Sequence, residues 1–123
     1  MKFKFKAIDH IQLAAPEGSE NEARIFFGNI LGFEEIEKPA ELKKRGGAWF
    51  QFGNCQIHVG IEDPFVPARK AHPAFEIDNL EELKKHLASR EVEYIEDDKL
   101  PGANRIYLHD PFGNRIELLE RMR

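Results

Sequence analysis

Gly53-Asn54-Cys55-Gln56-Ile57-His58-Val59-Gly60-Ile61 opens on a turn signal and runs on as an alternating strand. Asp110-Pro111-Phe112-Gly113-Asn114-Arg115-Ile116-Glu117-Leu118-Leu119 does the same roughly 60 residues later, a spacing that marks an internal repeat. Strand side chains alternate between faces. Ile57 and Val59 therefore share one face, with Gln56, His58 and Gly60 on the other. In the later copy, Ile116 and Leu118 oppose Arg115, Glu117 and Leu119.

Working back from each closing strand, the two halves match. Phe3, Phe5, Ala7, Ile8, Ile11 and Leu13 read as an opening strand that stops at Ala15-Pro16-Glu17-Gly18. Ser19 stands three residues before Glu22, the spacing of a capping box, and Ala23, Phe26, Phe27, Ile30 and Leu31 recur at helical spacing until Gly32. Strands are expected at Phe33 to Glu37, Ala48 to Phe52 and Gln56 to Ile61, with a turn from Lys43 to Gly47. Glu62 to Ala68, carrying two prolines, has neither period and reads as a linker. The pattern then restarts. His72 to Ile77 is a short strand; Asp78 and Glu81 repeat the capping spacing; Leu80, Leu83, Leu87 and Ala88 form a helical stripe to about Arg90. Val92 to Glu96, Arg105 to His109 and Arg115 to Leu119 complete three more strands.

The expected fold is α+β: one domain over residues 1–123, built from two βαβββ modules, 3–62 and 72–121, joined by a linker at 63–71. Each module alone has little core, so the two are expected to pair as curved mixed sheets around a ligand cleft, with the helices outside.

Composition narrows the function. The 123 residues carry 18 basic and 22 acidic side chains and a net charge of −4, which offers no footprint for a phosphate backbone, so nucleic acid is not an expected partner. No stretch approaches the roughly 20 apolar residues of a membrane span, and the opening Lys/Phe alternation is no signal h-region; no membrane partner and a cytoplasmic location are expected. The single cysteine, Cys55, cannot form an internal disulfide or a thiolate cluster and points to the packed face by parity. Any metal must be held by His and carboxylate.

Parity places His10, Gln12 and Ala14 on the cleft face of the first strand, and His72, Ala74 and Glu76 on that of its counterpart. His10 and His72 are thus equivalent, as are His58 and Glu117 on the closing strands. Three of the five histidines and one carboxylate at matching places point to a divalent transition metal held by His10, His58, His72 and Glu117, with room left for substrate. Zn, Ni, Mn, Co and Fe all accept such a set. His86, on a charged helix, and His109, before a turn, are not needed. Arg105 and Tyr107 share the face of Glu117: Arg105 suits an anionic group of the substrate, and Tyr107 can donate to a developing oxyanion. Trp49 and Gln51 hold the corresponding strand of the first half, and Gln12 and Glu76 are candidates to orient the histidines.

Asp9-His10-Ile11-Gln12-Leu13, Asn29-Ile30-Leu31-Gly32-Phe33 and Asp110-Pro111-Phe112-Gly113-Asn114-Arg115-Ile116-Glu117-Leu118 resemble the vicinal oxygen chelate superfamily. That superfamily contains glyoxalase I, bleomycin-resistance proteins, fosfomycin-resistance thiol transferases and extradiol dioxygenases. The resemblance covers nearly the whole chain and is most specific in D-P-x-G-x-x-x-E. It implies paired βαβββ modules, a homodimer, and metal ligands on the first and last strands of each module, at the positions of His10, His58, His72 and Glu117. It further implies a metal-dependent, glyoxalase-like enzyme acting on a small anionic or vicinal-oxygen substrate by lyase, isomerase or dioxygenase-type chemistry; by the strand register above, Glu117, Arg105 and Tyr107 are its expected catalytic groups. Glyoxalase I enzymes carry a carboxylate where this chain has His58, which argues against that particular activity. The alternative is a metal-free small-molecule or drug-binding protein of the bleomycin-resistance kind.

Overall fold

The computed structural model describes residues 1–122 and contains two four-stranded mixed sheets, one in each of two compact units that divide between Asp63 and Pro64. In the first unit the elements run β1 (His10–Ala15), α1 (Glu20–Ala23), a π-helical continuation (Arg24–Ile30), β2 (Glu34–Ile36), α2 (Ala40–Lys43), β3 (Ala48–Phe52) and β4 (Cys55–Ile61). In the second they run β5 (Ala74–Glu76), α3 (Leu80–Ser89), β6 (Ile95–Asp97), β7 (Ala103–His109) and β8 (Arg115–Arg121). The strand orders are β1-β4-β3-β2 and β5-β8-β7-β6, so the two sheets have the same topology. In each, the opening strand pairs parallel with the closing one and the other pairings are antiparallel. The α+β class and the repeated sheet agree with the sequence. Among the described residues no helix is long and apolar enough to cross a membrane.

The opening strand is shorter than its pattern suggested. β1 begins at His10, and Phe3, Phe5 and Ile8 are exposed. Its partner sets the limit: β4 emerges from the Gly53-Asn54 turn, and pairing starts at His10↔Gln56, so only Cys55 of β4 lies ahead of the first pair and residues 3–8 have no strand to bond. Alternating Lys and Phe supply strand propensity but no ladder. His72 likewise lies just ahead of β5, which starts at Ala74.

Both helix starts depart from the expected caps. Ser19 has helical dihedrals, φ −91° and ψ −1°, makes no side-chain cap bond, and its buried hydroxyl has no hydrogen-bond partner among the described residues. The neighbouring Glu20 carboxylate instead accepts from the Gly47 N–H at 2.7 Å, and this bond holds the Glu20 pKa below the ordinary glutamate value. Gly47 has φ +85°, and a Cβ there would lie 2.1 Å from the Val59 carbonyl oxygen, so no other residue fits this approach to β4. The helix then widens to π-type bonding, with the Leu31 N–H donating to the Phe26 carbonyl at 2.9 Å. Phe26 and Phe27 are thereby buried beside Phe50, with Phe27 ring contacts to Phe33 and Phe50.

At α3 the cap residue is Asn79, in the left-handed region at φ 67°, and not Asp78. The acceptor comes from another element: the Glu120 carboxylate of β8 takes the N–H groups of Asn79 at 2.8 Å and Leu80 at 3.1 Å. A carboxylate at a helix N-terminus satisfies orphan donors and opposes the helix dipole. Glu120→Ala is expected to cost about 1–2 kcal/mol, the range of a lost N-cap, measured by urea unfolding. A change below about 0.3 kcal/mol would show that water replaces the carboxylate at no cost.

The packed faces follow the parity argument. Leu13, Ile57 and Val59 are buried in the first unit with Phe27 and Phe50; Phe75, Ile106, Leu108, Ile116 and Leu118 are buried in the second with Leu80 and Leu87 of α3. The opposite face carries His10 and His58 in the first sheet and Arg105, Tyr107 and Glu117 in the second.

Candidate functional site

In the first unit, β1, β4 and β3 bring His10, His58 and Trp49 together. Register puts Gln12 and Trp49 on either side of His58, and His10 beside Gln56. The His58 ring lies flat on the Trp49 indole, centroids 3.6 Å apart at 1°, and is stacked on its other partner, His10, at 4.2 Å and 18°. His58 is 5% exposed, whereas the His10 side chain is 43% exposed. Burial first, and then the charge of His10, push the His58 pKa below the ordinary histidine value. Each ring is held by an acceptor. His58 Nε2 donates to Gln56 Oε1 at 2.9 Å, and His10 Nδ1 donates to Asp9 Oδ2 at 2.9 Å. His58 Nδ1 and His10 Nε2 are left as the basic nitrogens. Gln12 does not orient either ring; its amide lies over Gly60.

In the second unit, the antiparallel pairing of β7 and β8 sets Tyr107 opposite Glu117 and Arg105 opposite Leu119, while β5 sets Ala74 opposite Glu117. Glu117 is 5% exposed and its two oxygens are divided between partners. Oε1 lies 3.0 Å from His72 Nε2; Oε2 accepts from Arg105 Nη1 at 3.3 Å. His72 Nδ1 donates to the Lys70 carbonyl at 2.7 Å, which fixes the ring. A histidine whose Nδ1 is tied to a backbone carbonyl presents Nε2 outward as a lone pair. Here that lone pair faces a carboxylate oxygen. Two acceptors cannot share the contact unaided, so a proton or a cation belongs between them.

His72, Glu117, Arg105 and Tyr107 are therefore neighbours, as the sequence predicted. Further side chains surround this group. Arg105 also bonds Asp97, Nε and Nη2 each 3.0 Å from Oδ1, so its fork is occupied by two carboxylates. Arg115 was read as facing inward but given no part, and it lies over the Tyr107 ring with Cζ 4.1 Å from the centroid. Arg105 flanks the same ring at 5.1 Å, and the His72 ring meets it edge-on at 5.4 Å. The signal for Arg115 was available: it lies two residues before Glu117, on the same strand face. Glu76 shares that face, opposite Leu119. Among the described residues of either unit, no three His, Cys, Asp or Glu side chains gather into a metal-holding group. The ligand candidates come as two pairs, His10 with His58 and His72 with Glu117.

Comparison with known proteins gives these pairs a context. The family model of the Glyoxalase/Bleomycin resistance protein/Dioxygenase superfamily matches residues 7–118. A crystal structure of a protein assigned to the glyoxalase family from Bacillus anthracis is 51% identical, with a TM-score of 0.96, covering 98% of this chain and 99% of that one. A glyoxalase family protein from Enterococcus faecalis is 25% identical, with a TM-score of 0.76 and coverage of 94% and 98%. Lactoylglutathione lyase from Agrobacterium tumefaciens, at 21% identity, a TM-score of 0.73 and coverage of 94% and 93%, shares the fold. No curated protein matches the chain. With a family match over nearly its whole length and the same repeated sheet topology, the chain belongs to the Glyoxalase/Bleomycin resistance protein/Dioxygenase superfamily.

Proposed function

We propose that the protein is a metal-dependent enzyme of this superfamily, acting on a small anionic or vicinal-oxygen substrate, with the pairs His10 and His58, and His72 and Glu117, as its candidate metal ligands. The observation that carries this reading is the His72–Glu117 contact, in which an oriented imidazole nitrogen and a buried carboxylate oxygen stand 3.0 Å apart. The donors fit such an ion: neutral imidazole and carboxylate suit divalent Zn, Ni, Mn, Co or Fe, and each ring nitrogen opposite a basic one is already bonded. When bound, a divalent ion supplies Lewis-acid stabilisation of charge on neighbouring substrate oxygens.

The remaining roles belong to the chain. Arg105 holds Oε2 of Glu117 and so leaves Oε1 as the oxygen that meets His72. Glu117 is the group placed to take a proton from a carbon beside a carbonyl. Tyr107, flanked by two guanidinium groups, is the donor placed for a developing oxyanion. With its donors already shared by Asp97 and Glu117, Arg105 serves as the positioning residue for Glu117 and grips an anionic substrate group only by releasing Asp97.

The test is metal retention by protein purified without a histidine tag. After supply of Zn, Ni, Mn, Co or Fe and desalting, about one equivalent per chain is expected, and His72→Ala is expected to retain less than about a tenth of it. Retention of no metal by the natural chain would overturn the reading in favour of metal-free sequestration.

A further inference from the structure

We infer that the first unit carries a binding pocket for a small organic anion with an apolar body, formed by Trp49, Gly60, Gln12, Leu42, Lys38 and Arg45. The cavity measures about 330 Å³, within the range of small-molecule sites. Gly60 fixes the place of one polar wall, the Gln12 amide. On the face that carries His58 and Trp49, Gly60 has no side chain, and a Cβ there would lie 2.1 Å from Gln12 Nε2. The Gln12 amide therefore rests in space that any other residue at position 60 would fill. Trp49 and Leu42 give apolar walls, and the α2 region brings Lys38 and Arg45 to the rim.

Charge selects the ligand class. No Asp or Glu is among the residues lining the cavity, which has two cations at its rim. Lys38 donates to the Gly46 carbonyl, beside the opening. Arg45 makes no ion pair, and the Gln12 amide no hydrogen bond, among the described residues. The nearest carboxylate, Glu20, already accepts from the Gly47 N–H. A carboxylate meeting a guanidinium fork, an ammonium and an amide N–H₂ gains charge-assisted bonds, while its hydrocarbon part covers the indole. Trp49 also stacks on His58, so a ligand held here lies one ring away from a residue of the proposed metal set. The inference deepens the proposed function and rests on it for what is done to the ligand; that the ligand binds requires no metal.

Trp49 is the only tryptophan of the chain and reports on the pocket directly. Metal-free protein is titrated with hexanoate, which does not absorb where indole is excited, and with neutral hexanamide. A saturable change in Trp49 emission is expected for hexanoate, with hexanamide weaker by about tenfold. Lys38→Ala and Arg45→Ala are each expected to weaken hexanoate about threefold to tenfold, and the double variant to remove the preference for the anion. Equal binding of the amide, an absent response, or full hexanoate affinity in the double variant overturns the inference. Glu117→Gln separates the two claims: it is expected to keep the hexanoate response in full, whereas Arg45→Ala is expected to keep metal retention. Loss of metal binding in the natural chain with the fluorescence response intact sinks the metal reading alone.

Discussion

Glu117→Gln is expected to lower divalent-metal affinity by more than about 100-fold, beyond the 10–100-fold that loss of an outer-shell partner costs, while leaving the fold in place. The substitution keeps side-chain volume and one carbonyl oxygen, so Arg105 Nη1 retains an acceptor, and Arg105 keeps its full ion pair with Asp97. No buried charge is orphaned, which is why the fold should survive the removal of a carboxylate that is 5% exposed. What disappears is the anionic oxygen 3.0 Å from His72 Nε2. Competition titration against a chromophoric chelator measures the affinity, and urea unfolding checks the fold. Unchanged affinity in a folded variant would remove Glu117 from the site.

Asp110→Ala should be the most damaging change outside the apolar core, costing about 3 kcal/mol in urea unfolding, since each buried donor left without an acceptor costs about 1–3 kcal/mol. Asp110 is 4% exposed at the bend between β7 and β8. Its Oδ1 accepts from the N–H groups of Phe112 at 3.0 Å and Asn114 at 2.9 Å, and Oδ2 from Asn114 Nδ2 at 2.8 Å. Backbone bonds between Asp110 and Asn114 at 3.0 Å and Gly113 and Asp110 at 3.1 Å close the same loop. Burial holds the Asp110 carboxyl above the ordinary aspartate value, although the Asn114, Phe112 and Gly113 bonds pull the other way. Asp110→Asn keeps an oxygen for the two backbone donors and should cost only about 1 kcal/mol, the worth of one typical bond. If both variants unfold at the natural midpoint, the loop is held by backbone bonds alone. The consequence reaches the site, because this bend fixes the pairing that sets Tyr107 opposite Glu117.

The residues that carry this behaviour differ in how readily they could be read. Asp110-Pro111-Phe112-Gly113-Asn114 announced a turn, and period two then assigned His58 and Glu117 to the face opposite Ile57 and Ile116. That assignment holds, because a strand paired on both edges cannot rotate about its axis, and parity survives any detail of packing. His10, on the edge strand β1, keeps the face of His58, whereas His72 lies ahead of β5 and meets Glu117 from outside the ladder. Helix starts were less legible. Ser19 had the spacing of a cap yet makes no cap bond, and α3 is capped by Glu120, forty residues away in sequence. A capping box is a local pattern, and a carboxylate delivered by a neighbouring strand overrides it without local trace. The same holds for the electrostatics. Arg105 had the residue type and face of an anion grip, but Asp97, placed opposite it by the β6–β7 register, already occupies its fork.

The order of apolar and polar residues by itself determined the repeated βαβββ pattern, the two-sided strands and the pairs of candidate ligands, since all of these follow from periodicity within segments of fewer than ten residues. Only the tertiary structure decided where β1 begins, which acceptor caps α3, that Arg105 is engaged while Arg115 lies on Tyr107, and that Lys38 and Arg45 line one cavity with Trp49. Each of these depends on which side chain arrives from a different strand or loop, and chain order carries no measure of that distance.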